Sequence, residues 1–250
     1  MGANRTRPAR GFVTKNVTKV GRPRLKKRAL TDAQRQRRHR DKVAGLSRAE
    51  ATDELHETPA IAVHKLMKAE TLPQHIWDPC CGPGAIIRIV RASGRSVTAS
   101  DLRDYDDIGH VEKILRDVGA KPDGLAAALR NYVRPRQDFI GDFLETTAAP
   151  PGVEAMVMNP PFSKAAAFIR HALTLVPLVI VLVRLAWLES TRQRKDLTEG
   201  GHLARVHVFR ERLPRMHRFG WPGPRASATE GHCWLVFEAR HGGPPALHWL

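Results

Sequence analysis

The stretch His75-Ile76-Trp77-Asp78-Pro79-Cys80-Cys81-Gly82-Pro83-Gly84 runs from apolar residues into a turn of proline and glycine. Ala85 to Val90 then repeats apolar side chains at helical spacing. Strand, glycine turn and helix in that order make the βα unit of nucleotide-binding sheets, whose glycines let the backbone approach a ligand closely. A second strand, Ser96 to Ser100, ends in Asp101, 19 residues after Gly82, where a carboxylate can accept both hydroxyls of a ribose. The turn lacks the third glycine of the dinucleotide fingerprint and the Lys-Ser/Thr of a phosphate loop. A ligand with a ribose and no phosphates suits it better.

Further along, Val153 to Met158 is a short apolar run bounded upstream by Pro150-Pro151-Gly152, which predicts a buried strand. It leads into Asn159-Pro160-Pro161-Phe162. The prolines cannot continue a sheet ladder, and each biases the residue before it toward an extended conformation, so the chain leaves the sheet as a stiff arm. That arm suits a flat base carrying an exocyclic amine. The Asn159 side-chain oxygen and the Pro160 carbonyl can both accept hydrogen bonds from an NH2, while Phe162 offers a stacking face. Two acceptors hold the amine lone pair toward an electrophile, and an aromatic amine can react first and lose its proton afterwards. The same residues also read as a plain Pro-rich turn.

Taken together, Asp78-Pro79-Cys80-Cys81-Gly82-Pro83-Gly84 and Asn159-Pro160-Pro161-Phe162 resemble the S-adenosylmethionine-dependent amino-methyltransferases, especially those that methylate the exocyclic amine of adenine. The resemblance implies a Rossmann-like, doubly wound α/β sheet of seven strands, mostly parallel, with an antiparallel last strand. The closing hairpin is expected as Arg205–Phe209 and His232–Glu238. It further implies that Asp78, Cys80 and the Gly82–Gly84 turn hold the methionine end of S-adenosyl-L-methionine, with Asp101 at the ribose. A third strand, Asp138 to Gly141, ends in Asp142, and the family commonly has an Asp there that accepts from the cofactor adenine amine. For both Asp101 and Asp142 a helix N-cap is the competing reading. The similarity covers roughly residues 57–239, and no large inserted target-recognition domain accompanies it.

Around this body the chain is unevenly charged. Of 41 Lys/Arg and 25 Asp/Glu, residues 1–50 carry 16 and 3, a net of +13, so the remaining 200 residues are nearly neutral. A polyanionic partner is the first expectation, and DNA the first polyanion. Residues 1–30 have too few large apolar groups to offset the entropy of ordering and read as a disordered arm. Within it Gly21-Arg22-Pro23-Arg24 resembles a minor-groove peptide core, with Arg22 and Arg24 as the groove residues, and a plain basic linker is the competing reading. Thr31-Asp32-Ala33-Gln34 has capping-box spacing and predicts a helix over 31–44, which presents Arg37 and Arg38 to phosphates or is merely a solvated helix. The methyltransferase domain is expected over 51–250, opening on the Pro-initiated helix after Thr58-Pro59. Arg212, Arg215, Arg218 and Trp221 interleave cations and aromatics between the last two strands, a pattern suited to an extruded base and equally to a solvated hairpin tip with core aromatics.

Three cysteines, Cys80, Cys81 and Cys233, have neither disulfide-framework nor zinc spacing, so no metal is expected and the compartment is read as reducing. Leu173 to Leu188, the longest apolar run, is broken by Pro177 and Arg184 and falls short of a bilayer. A cytoplasmic, nucleic-acid-associated protein with no membrane partner is the expectation. Its predicted reaction is methyl transfer from S-adenosylmethionine to adenine in DNA by direct in-line displacement. RNA adenine, cytosine amine and protein glutamine compete as acceptors. A non-catalytic nucleic-acid-binding protein on the same fold is the rival of a different class.

Overall fold

A computed structural model of the chain describes residues 56–189, 192–216, 219–220 and 230–250. The predicted arm and its 31–44 helix, with Arg22, Arg24, Arg37 and Arg38, lie outside the described residues, as do Arg218 and Trp221.

Helix α1 (Ala60–Ala69) starts behind Pro59, whose fixed φ suits a helix start. It buries Ala62, Val63 and Leu66, one helical face. Strand β1 (His75–Asp78) and helix α2 (Ala85–Ala92) follow as the predicted βα unit. Then come β2 (Ser96–Asp101), α3 (Ile108–Asp117), α4 (Pro122–Arg130), β3 (Phe139–Ile140), β4 (Ala155–Met158), α5 (Ala165–Leu175) and β5 (Leu178–Arg184). The short α6 (Lys195–Glu199) precedes β6 (Leu203–Val208), β7 (His232–Glu238) and β8 (Ala246–Trp249). The sheet order is β3-β2-β1-β4-β5-β7-β6-β8. Among the described residues, β7 alone runs against its neighbours, antiparallel to both β5 and β6.

This is the Rossmann-like doubly wound sheet, and its hairpin falls where the sequence predicts it. Two details differ from expectation. An eighth strand, β8, joins β6 in parallel and is exposed along its whole length, so no apolar pattern announces it. The expected third strand contracts to two exposed residues at the opposite edge of the sheet.

Burial explains why the central strands read as continuous apolar runs. Ile76, Val157, Ile180 and Leu182 pack toward α1 and α2, while Trp77, Met156, Met158, Val179 and Val181 pack toward α5 and Phe143. Alternate side chains thus enter two different cores, and neither face of the strand is free to be polar. Trp234 ties the layers together by donating its indole N–H to the Ala62 carbonyl at 3.0 Å.

Candidate active site

Sheet order places the carboxyl ends of β3, β2, β1 and β4 side by side, and each carries one of the predicted polar residues. Asp78 closes β1, Asp101 closes β2, Asp142 follows β3 and Asn159 follows β4. In open α/β sheets this is the edge at which ligands bind, because the turns leaving the strands diverge there.

Asp78 is buried, with Oδ1 accepting the Cys80 amide at 3.3 Å. Burial pushes its pKa up to about 8, and the nearby Asp101 charge adds to the effect. Asp101 ties β2 to the glycine turn: Oδ2 accepts the Gly82 amide at 2.9 Å and Oδ1 the Arg103 amide at 3.1 Å. Burial raises Asp101 to about 6. Gly82 and Gly84 both have positive φ, 49° and 90°. At Gly84 a side chain would also crowd Pro135 Cβ at 3.1 Å, so the turn stays bare backbone.

Because both carboxyls are shifted up, the folded protein holds protons that the unfolded chain releases near pH 4. Their contribution to stability is therefore greatest at low pH and is lost as pH rises toward about 6 for Asp101 and about 8 for Asp78. The thermal midpoint of Asp78→Asn should fall less between pH 5 and 8 than that of the wild type; parallel profiles would show that Asp78 titrates normally.

Cys80 lies between the turn and the acceptor arm. Burial and the nearby Asp78 and Asp101 hold its thiol well above the ordinary range, with the Asn159 backbone amide acting in the opposite sense. The glycine turn and the Asn-Pro-Pro arm are thus neighbours. Asp142 caps the 3-10 turn Phe143–Glu145, its Oδ1 accepting the Leu144 amide at 2.9 Å. Nearby, Leu102, Phe139 and Ile140 expose apolar surface at the same sheet end, a shelf suited to a flat ring.

The Asn159 side chain is oriented by its surroundings. Nδ2 donates to the Thr58 hydroxyl at 3.0 Å and to the His56 carbonyl at 3.3 Å, with Met216 Sδ at 3.8 Å. Oδ1 is buried with no partner among the described residues. An unsatisfied buried acceptor costs about 1–3 kcal/mol, a cost that a ligand N–H would remove. The Pro161 carbonyl accepts the Lys164 amide at 2.9 Å and turns the chain into α5.

Phe162 is not a bare face. His56 stacks on it at 5.8 Å between ring centroids and 22° between planes, and the Arg184 guanidinium lies 4.7 Å from its centroid. Arg184 is held in turn by Glu230 at 2.8 Å. Beside the ring is a cavity of about 160 Å³ lined by His56, Phe162, Arg184, Arg215, Met216 and His232 among others. Arg215, from the Arg/aromatic segment, lines this cavity, and Arg212 is exposed and not among its lining residues. Burial and Arg184 lower the His232 pKa from its ordinary value, and Nδ1 is buried without a partner among the described residues. Nothing in the spacing signals His56, Thr58, Arg184, Met216 or His232. Arg184 pairs with His232 across β5 and β7, and only the reversed direction of β7 brings its first residue to the end of the sheet where Asn159 stands.

No protein-family model and no curated protein matches this chain. Among solved structures, a Pyrococcus horikoshii protein assigned as an RNA methyltransferase aligns at TM-score 0.46 and 16% identity, over 73% of this chain and 86% of its own. A modification subunit assigned to a type I restriction enzyme of Vibrio vulnificus aligns at 0.46 and 14%, over 84% and 49%. A dimethyladenosine transferase from Plasmodium falciparum aligns at 0.43 and 14%, over 74% and 62%.

Proposed function

We propose that the protein transfers the methyl group of S-adenosyl-L-methionine to the exocyclic amine of adenine in nucleic acid, with DNA as the first substrate and RNA as the competitor. One observation carries this reading: the Asn159 amide has its donors engaged and its acceptor oxygen buried with no partner among the described residues, at the strand end next to the one that carries the Cys80 turn. An orphan acceptor next to a glycine turn fits an amine brought to a bound electrophile.

The residues present fit the cofactor. No cation among the described residues pairs with Asp78, whose carboxyl is pushed up by burial; a ligand ammonium group beside it would favour the ionised carboxylate. Each Asp101 oxygen accepts one amide in the structure and retains acceptor capacity for ribose hydroxyls. The apolar shelf of Leu102 and Ile140 suits an adenine ring, with Asp142 at its edge. S-adenosylmethionine would supply an electrophilic methyl group at the Cys80 side of the cleft.

Asn159 Oδ1 and the Pro160 carbonyl would then accept the two amine hydrogens and hold the lone pair toward that side. Pro161 keeps the arm rigid, and proximity supplies most of the acceleration. An engineered cavity of about 150 Å³ admits benzene, so the cavity beside Phe162 is of a size for one flat ring, and a purine would enter by displacing the Arg184 guanidinium from the Phe162 ring. The basic balance of +16 favours a polyanionic substrate over a protein amide.

The test is incubation with labelled cofactor and, separately, duplex DNA, single-stranded DNA and RNA, followed by mass spectrometry of the nucleosides. N6-methyladenine is the expected product, and its absence from all three substrates would end the adenine reading. Asp101→Ala should weaken cofactor binding by about 2 kcal/mol, the loss of charge-assisted bonds to two hydroxyls, with turnover at saturating cofactor less affected. An unchanged dissociation constant in calorimetry would reduce Asp101 to an anchor of the Gly82 amide.

A further inference from the structure

Three segments far apart in sequence converge on the Asn159 side chain: the strap at 56–58, the arm at 159–162, and Met216. Which amide atom faces the strap follows from chemistry. The His56 carbonyl cannot donate, so the atom 3.3 Å from it must be the amide nitrogen, since a flipped side chain would set two acceptor oxygens against each other. Thr58 is buried, and its hydroxyl oxygen takes the closest hydrogen bond from that nitrogen, at 3.0 Å. Both amide hydrogens thus have oxygen acceptors, and the carbonyl end is the part of the side chain left to meet a ligand.

The strap itself is stiff. Thr58 precedes Pro59, which disfavours a helical conformation at Thr58, and Pro59 is the cap from which α1 starts, at φ −62° and ψ 134°. Helix α1 is in turn locked into the sheet through Ala62, Val63 and Leu66 and by the Trp234 bond to the Ala62 carbonyl. His56 fastens the other end of the strap through its ring nitrogen Nδ1 and the Met216 carbonyl, 3.1 Å apart. A hydroxyl held this way can fix the direction of a neighbouring amide, because its own position is set by packing rather than by rotamer choice.

We propose that Thr58 is the positioning residue of the transfer reaction: its side chain turns the Asn159 carbonyl oxygen toward the acceptor amine, while Thr58 itself touches neither amine nor methyl donor. This rests on the reading of Asn159 given above. Replacing the hydroxyl by a methyl group in Thr58→Val keeps the shape and leaves one amide hydrogen without its acceptor, so the side chain loses part of its alignment. Thr58→Ser keeps the acceptor at the cost of a methyl group.

The test starts from wild-type protein with a measured transfer rate on the nucleic acid that it methylates; absence of any transfer counts against the function, not against Thr58. Thr58→Val is expected to lower kcat about tenfold or more, with cofactor dissociation constant and nucleic-acid KM within about twofold of wild type, and Thr58→Ser to restore most of the rate. Equal rates in Thr58→Val and wild type would overturn the proposal. So would equal losses in the Val and Ser variants, which would mark a packing role, or a loss confined to cofactor affinity, which would make Thr58 a cofactor ligand. A second measurement reads the wild type and needs no folded Thr58 variant: the Asn159 side-chain NH2, assigned by its disappearance in Asn159→Ala, should show slowed hydrogen exchange by NMR. Exchange as fast as that of an exposed asparagine would overturn the proposal equally.

Discussion

Asn159→Ala is expected to lower methyl transfer by roughly 10²-fold or more, the loss that follows removal of one oriented contact made to the reacting group. Cofactor affinity should stay near wild type, since the hydrogen bonds of the Asn159 side chain go to Thr58 and His56 and none goes to the glycine turn. Stability should change little for a physical reason specific to this site. The substitution strips the Thr58 and His56 acceptors of their donor, but it also removes the buried Oδ1 that has no partner, and the two effects oppose one another. The measurements are single-turnover transfer, calorimetric cofactor titration and thermal midpoint. A variant with near wild-type turnover would remove Asn159 from the mechanism, and one that no longer binds cofactor would place the side chain in a different pocket.

Deleting residues 1–50 should leave cofactor binding intact and strip much of the affinity for nucleic acid. Those residues hold 16 of the 41 Lys/Arg and lie before His56, where the described body begins. Each phosphate neutralised by Lys or Arg adds about 0.9 to the slope of log affinity against log salt on duplex DNA. With about half of the arm's cations meeting phosphates at once, several units of slope should vanish. Base preference should survive, because phosphate contacts position a protein without reading sequence. Fluorescence anisotropy of full-length and truncated protein across a salt series on one duplex makes the comparison. Equal slopes would show that the arm serves another partner, and a truncated protein that fails to fold would move the domain boundary into the deleted span.

The local code of this chain is strong where backbone chemistry is involved. Proline and glycine around Asp78 and Gly84 dictate a strand, a turn and a helix almost without reference to the rest of the molecule, and the Pro-Pro pair after Asn159 dictates an exit from the sheet. Continuous apolar runs at β4 and β5 likewise announce strands covered on both faces. Where such cues weaken, the elements are not legible. β8 is short and exposed, with no apolar period to read, and β3, expected over 138–141, keeps only two exposed residues because one neighbouring strand pairs with it. Helix α3 does have one, with Val111, Ile114 and Leu115 buried behind an Asp107 cap, but a run of acidic and basic residues masks it.

The site divides along the same line. Sequence alone determines that Asp78, Asp101, Asp142 and Asn159 each follow a strand, because strand ends are local properties. That their four strands are neighbours is a matter of sheet order, and that His232 faces Arg184 is a matter of the one reversed strand. The orientation of the Asn159 amide depends on a hydroxyl 101 residues away and a carbonyl 103 residues away. Hydrogen bonds over such separations leave no periodicity in the chain, since they are set by where layers pack and not by which residue comes next. Sequence therefore determines which atoms are available, and only the tertiary structure decides which of them are already satisfied and which are left for a ligand.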